Sequence, residues 1–220
     1  SYMSYRFYRF YQSHKDLLIA SLIGFLVGWF SVPTLINLIG PISPIGLISP
    51  IVRIGLTVSS SLAIVAPAAL SLFYFLSRFR PILKQISRYL TVGMLNAFLD
   101  LGVLNTLLLL TGKHGGWYFA FFKAISFLAA VTNSYFWTKF WTFGSQTAAS
   151  PKEASKFLFF TLIGLIVNDG LASLMVNWIQ PQFGLTLPAW ENIASAVSVI
   201  PVLFWNFLSY RYLVFPNKSY

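Results

Sequence analysis

"RYLTVGMLNAFLDLG", from Arg88 to Gly102, and "KFLFFTLIGLIVNDG", from Lys156 to Gly170, stand 68 positions apart in this chain. At that offset Arg88 falls on Lys156, Asp100 on Asn168 and Gly102 on Gly170. Each stretch opens on a cation and runs into apolar sequence of the length that crosses about 30 Å of hydrocarbon. A second pair closes what the first pair opens. "NSYFWTKFWTF" (Asn133–Phe143) and "WNFLSYRYLVF" (Trp205–Phe215) align after a slip of four, with Lys139 on Arg211, Phe140 on Tyr212 and Phe143 on Phe215. A beginning and an ending written twice define two copies, 87–143 and 155–215, of two spans each. Two spans bring the chain back to the side it left, so the copies run in the same direction about an axis along the membrane normal.

Composition agrees with that reading. Of 220 residues 57% are hydrophobic and 9% charged, where a soluble domain carries about a quarter charged residues. Mean hydropathy is +0.72. The expected class is therefore an all-α, multi-pass membrane protein. The chain has no cysteine, so thiolate nucleophiles, disulfides and Cys-based metal sites do not arise. The formal charge of +10 has no soluble domain to sit on, which argues against nucleic acid as the partner and for anionic lipid. His14 and His114 are isolated, and no clustered His/Asp/Glu set suggests a metal. Neither a nucleophile–base pair nor a nucleotide-binding loop is visible, so no enzyme and no cofactor are expected. Ser1-Tyr2 ahead of Met3 reads as a tag scar.

Hydropathy places six spans near Leu17–Ile39, Val52–Leu76, Tyr89–Leu110, Trp117–Trp137, Phe157–Ile179 and Trp190–Tyr210. Twelve of the fifteen cations fall on one side of them: Arg6, Arg9, Lys15, Arg78, Arg80, Lys84, Arg88, Lys139, Lys152, Lys156, Arg211 and Lys218. The positive-inside rule then puts both termini in the cytoplasm, and the expected location is the cell membrane. Three regions follow: a basic and aromatic segment at 1–15, two further spans at 16–84, and the duplicated part at 85–216. Pro41, Pro44 and Pro50 break the first external loop, and Pro67 and Pro201 should bend spans two and six.

Three ionisable groups lie inside spans. Asp100 is about twelve residues into span three, Asp169 is similarly deep in span five beside Asn168, and Lys123 sits in span four. Each costs at least ~2.5 kcal/mol on insertion scales, which makes them functional candidates by default. Two readings compete for the first pair: a structural Asp100–Lys123 contact locking spans three and four, or a site. Asp100 and Asp169 would also suit proton carriage. The aromatics and cations of the two endings, with Trp137, Trp141, Trp190 and Trp205, read either as interfacial anchors or as ligand platforms.

With its basic-aromatic start "RYLTVGMLNAFLDLGVL", the mid-chain "FKAISFLAAVTNSYFWTKFWTF" and the repeat closing on "WNFLSYRYLVF", the chain from about Ser87 to Pro216 resembles the GtrA-like family. Asn206, Phe207, Arg211 and Phe215 match that family's closing pattern, whereas the first copy has Ser134 at the Asn position and Lys139 alone for the cations. The resemblance implies a four-helix membrane unit and a flippase of polyprenyl-phosphate-linked monosaccharides serving polysaccharide biosynthesis. A membrane-bound glycosyltransferase is its implied partner. On that footing Lys123 is the expected phosphate cation of the outer half, and Arg88, Lys139, Lys156 and Arg211 the capturing cations at the cytoplasmic mouth. Asn96, Asn105, Asn133, Asn168 and Asn206 would meet sugar hydroxyls or bond across helices. A polar cleft between the two copies is the expected path, and a thin four-helix wall points to a homodimer. Two other functions fit less of the sequence: a scaffold for the glycosyltransferase, and a proton-coupled exporter of cations, against which Lys123 argues.

Overall fold

The computed structural model describes residues 2–39, 48–77, 79–80, 82–113, 116–179, 181–182 and 187–216. Pro41, Pro44, Arg78, His114 and Lys218 lie outside them. The described chain is all helical: α1 (Tyr2–Ile39), α2 (Ile48–Leu76), α3 (Ile82–Thr111), α4 (Gly116–Trp137), α5 (Pro151–Trp178) and α6 (Leu187–Ser209). Among the described residues, six stretches are long and apolar enough to cross a membrane: His14–Ile36, Arg53–Leu76, Ile82–Thr111, Trp117–Thr142, Pro151–Trp178 and Val197–Val214.

These agree with the spans expected from hydropathy, and the departures have local causes. The basic and aromatic residues ahead of the first span are helical from Tyr2, so that segment continues α1. Helix α5 starts six residues before the expected Phe157 because Ser150 caps it, its hydroxyl accepting from the Glu153 backbone N–H at 3.2 Å, with Pro151 next in line. Ser-Pro-x-Glu is a start signal that hydropathy alone does not register. Pro50 lies in the first turn of α2, where the missing N–H is no loss. Helices α2 and α6 run on through Pro67 and Pro201.

Both aromatic endings wind into π-helix. The turns are Thr138–Thr142 after α4 and Tyr210–Val214 after α6. They lie 72 positions apart, the offset at which Lys139 falls on Arg211, and each cation is second in its turn.

The chain divides into two compact units, Ser1–Thr142 and Phe143–Tyr220. In the first, α1 lies antiparallel to α2: Gly24 faces Leu62, Gly28 faces Ser59 and Gly55 faces Val32. Helix α1 also lies parallel to α3, with Phe30 on Gly102 and Thr34 accepting from Asn105 Nδ2 at 3.1 Å. Lipid tails are as apolar as leucine, so spanning helices associate through close backbone approach and polar bridges instead of by escaping water. The glycines supply that approach: a Cβ on Gly24 would meet the Leu62 carbonyl, and one on Gly28 the Ser59 backbone. A core of Ala20, Ile23, Val27, Leu70, Val92, Leu95 and Trp141 joins α1 and α2 to α3. The first two spans are thus built into the first unit.

The second unit is the α5–α6 hairpin. Phe157 stacks on Tyr210 with ring centroids 4.2 Å apart, and Phe143, Phe207 and Phe215 complete an aromatic plug. Trp190 donates its indole N–H to the Met175 and Ile179 carbonyls at 3.2 and 2.9 Å, covering the end of α5. Trp190 is therefore a buried cap on the end of α5.

Helix seating predicts a contrast between two glycines. Gly28→Val should lower the detergent thermal midpoint by the equivalent of ~1–3 kcal/mol, the usual effect of overpacking. Gly93→Ala, where an added Cβ meets nothing within 4 Å, should leave the midpoint unchanged or slightly raised.

Candidate functional site

Two polar clusters lie in the first unit. The one at the start of α3 centres on Asp16, one of five acidic residues in the chain and 2% exposed. Tyr74 of α2 donates its hydroxyl to Asp16 Oδ2 at 2.5 Å, and the Trp141 indole N–H donates to Oδ1 at 2.8 Å. The Arg88 guanidinium forms an ion pair with Oδ2, and Lys84 Nζ lies 3.5 Å from the same oxygen. Arg88 also donates from Nε to the Tyr74 hydroxyl at 3.0 Å and from a terminal nitrogen to the Trp141 carbonyl at 2.9 Å. A single carboxylate thus ties α1 to α2, to α3 and to the π turn after α4. Asp16 carries no motif and goes unassigned in the sequence; the available signal is an acid at the head of an apolar span among cations.

This arrangement changes the reading of three residues. Arg88 is engaged on three of its nitrogens inside the protein and is not an open capture cation. Trp141 is 7% exposed and serves as an internal donor. Lys139 is 0% exposed, with its ammonium 5.6 Å from the Phe140 ring centroid and 6.0 Å from that of Tyr135. Its place is inside the protein and not at a solvated mouth. The Thr138 and Thr142 hydroxyls of the same turn are buried without a hydrogen-bond partner.

Deeper in α3 is the second cluster. Lys123 forms an ion pair with Asp100 Oδ2, and the Ser126 hydroxyl donates to Oδ1 at 2.6 Å. Lys123 and Ser126 are neighbours one turn apart on α4, so the carboxylate is held by a chelate from one helix face. The Lys123 side chain is 44% exposed and that of Asp100 22%. One helical turn from Asp100, Asn133 of α4 donates to Asn96 Oδ1 at 2.8 Å, and Asn96 donates to the Val92 carbonyl at 2.8 Å. Of the two expected uses of asparagine, bonding across helices is the one seen: Asn96, Asn105 and Asn133 bridge helices. Measured along α3, Asp100 lies about 18 Å from Arg88 at 1.5 Å per residue.

In the second unit Ser198 donates to Asn168 Oδ1 at 2.8 Å. The Asn206 side chain lies against Gly164, its Oδ1 buried with no partner. Asp169 is exposed. Arg211 is half-buried, its guanidinium carbon 5.5 Å from the Tyr212 ring centroid. Lys156 is exposed. It lines an open pocket of ≈ 430 Å³ with Lys152, Glu153, Ser145, Thr147 and the aromatic wall Phe143 and Phe215.

Comparison with known proteins adds the family. The profile described as "GtrA/DPMS, transmembrane domain" matches residues 88–215. A Bacillus subtilis (strain 168) protein described as "Uncharacterized membrane protein YngA" is 30% identical over 136 residues, 62% of this chain and 82% of that protein. No solved structure matches. The profile begins on Arg88 and ends on Phe215, so Asp16 and Tyr74 reach into the matched region from outside it.

If Asp16 is the hub, its weakest donor should matter. Trp141→Phe removes the indole N–H from a buried carboxylate and should reduce stability by ~1–3 kcal/mol, read as a lower thermal midpoint. Trp178→Phe, at an 83% exposed position, should leave it in place.

Proposed function

Because the chain belongs to the GtrA/DPMS transmembrane domain family, we propose that it carries a polyprenyl-phosphate-linked monosaccharide across the cytoplasmic membrane, with both its termini on the cytoplasmic side. It acts as a carrier and not as an enzyme, and delivers its cargo for use by a glycosyltransferase. The observation that carries this reading is the Lys123–Asp100–Ser126 cluster inside the spans.

Such a cargo has an apolar tail that stays in lipid, a phosphodiester with one negative charge, and a sugar rich in hydroxyls. The barrier to its passage is the desolvation of the last two, several kcal/mol for each unsatisfied polar group. Lys123 keeps N–H groups beyond the one that meets Asp100, and an ammonium offers three donors in all. A phosphodiester would use those donors while Asp100 holds the cation in place. Asn96 and Asn133, one turn away, are polar groups of the kind a sugar hydroxyl can bond.

A second reading is favoured by the same cluster: Asp100 and Lys123 satisfy one another, as a purely structural lock would. In that case the protein is a membrane scaffold for the glycosyltransferase. One experiment separates them. Purified protein in liposomes should speed translocation of a short-chain polyprenyl-phosphate sugar, and Lys123→Ala should slow it at least tenfold while the protein stays folded by thermal midpoint. Wild-type liposomes no faster than empty ones would remove the transport reading. A folded Lys123→Ala variant that translocates at the wild-type rate would remove the role given to this lysine.

A further inference from the structure

We propose that the two sequence-equivalent cations at the helix starts have diverged: Arg88 is closed by an internal anion, and the pocket around Lys156 is where the phosphate of an isoprenyl lipid binds. The identity of that lipid rests on the transport reading above; the location of the site does not.

The contrast between Arg88 and Lys156 carries the argument. They align at the 68-residue offset, each in the second turn of a spanning helix ahead of a π-helical ending. A carboxylate and a phosphodiester present the same chemistry to a guanidinium: a single negative charge on oxygen lone pairs. At Arg88 that place is taken by Asp16, supported by Tyr74 and Trp141, and the arginine side chain is left 14% exposed. Two spans outside the duplicated part supply this anion and one of its supports, Tyr74.

At Lys156 the environment differs. Lys156 and Lys152 are exposed, and no described carboxylate pairs with either. Lys152 and Lys156 are four apart on α5 and so share a face. With Glu153 between them the pocket keeps a net charge of +1. Ser145 and Thr147 add hydroxyls, while Phe143, Val214, Phe215 and Pro216 give it an apolar side. A volume of ≈ 430 Å³ accommodates a phosphate with the first isoprene units of its chain. The helix terminus itself is not the attraction, since Ser150 already bonds the Glu153 N–H. Cations that no described carboxylate pairs with, hydroxyls and an apolar wall near the start of a spanning helix together describe a receptor for an amphiphilic phosphate.

Native mass spectrometry of the full chain in detergent, titrated with farnesyl phosphate, tests this. One farnesyl phosphate per chain is expected. Lys152→Ala/Lys156→Ala, two exposed changes that should leave the thermal midpoint in place, should weaken binding at least tenfold. Lys84→Ala, beside the occupied arginine, should leave it within twofold. Binding lost with Lys84→Ala and kept in the double variant would put the site at α3 and overturn the proposal. No binding by wild type would also overturn it. Inorganic phosphate competing at equal concentration would mean a free-phosphate site, and phosphatidylglycerol binding equally well would mean general lipid anchoring; either contradicts the assignment. Binding as expected without translocation in liposomes would leave this site standing and remove only the transport reading.

Discussion

A carboxylate at the border of an apolar helix bundle must be neutralised where it sits, and Asp16 is neutralised by residues drawn from three other segments of the chain. The partners of a buried charge are costly to remove, ~3–5 kcal/mol for an uncompensated ion. Tyr74, Arg88 and Trp141 therefore fix helix positions as well as charge. Because Arg88 opens the family-matched region and Trp141 closes its first hairpin, the same interaction that docks α1 and α2 also holds the ends of α3 and α4 together.

Away from that hub, each unit uses a different means to the same end. The first joins its helices with charges and amides: Asp100 with Lys123 and Ser126, Asn96 with Asn133, Asn105 with Thr34. The second closes with aromatic stacking around Phe157 and Tyr210, and with the Thr161 and Tyr210 hydroxyls 2.6 Å apart. A hairpin closed by rings has no need of its cation for structure, and Lys156 is exposed.

Much of the architecture could be read in advance because hydrophobicity and length are local properties. Six apolar runs gave six spanning helices, and the pairing of Asp100 with Lys123 was legible because so few charges lie inside spans. Asp16 was not legible. Its partners lie 58, 72 and 125 positions away, and nothing local distinguishes it from a solvated acid after a lysine. Lys139 and Trp141 misled for the opposite reason: a cation among aromatics has the same pattern whether it anchors at headgroups or is buried by a neighbouring helix. The π turns are also invisible to hydropathy, since one extra residue per turn leaves composition unchanged.

The Asp16–Arg88 pair is tested most directly by a double-mutant cycle of Asp16→Asn and Arg88→Gln, read as unfolding free energy or thermal midpoint in detergent. Each single change strands a buried charge, so the combined loss should fall short of the sum of the two by ~1–3 kcal/mol, the coupling of residues in one network. Strictly additive losses would mean that the two side chains do not meet in the folded protein, and would contradict the account.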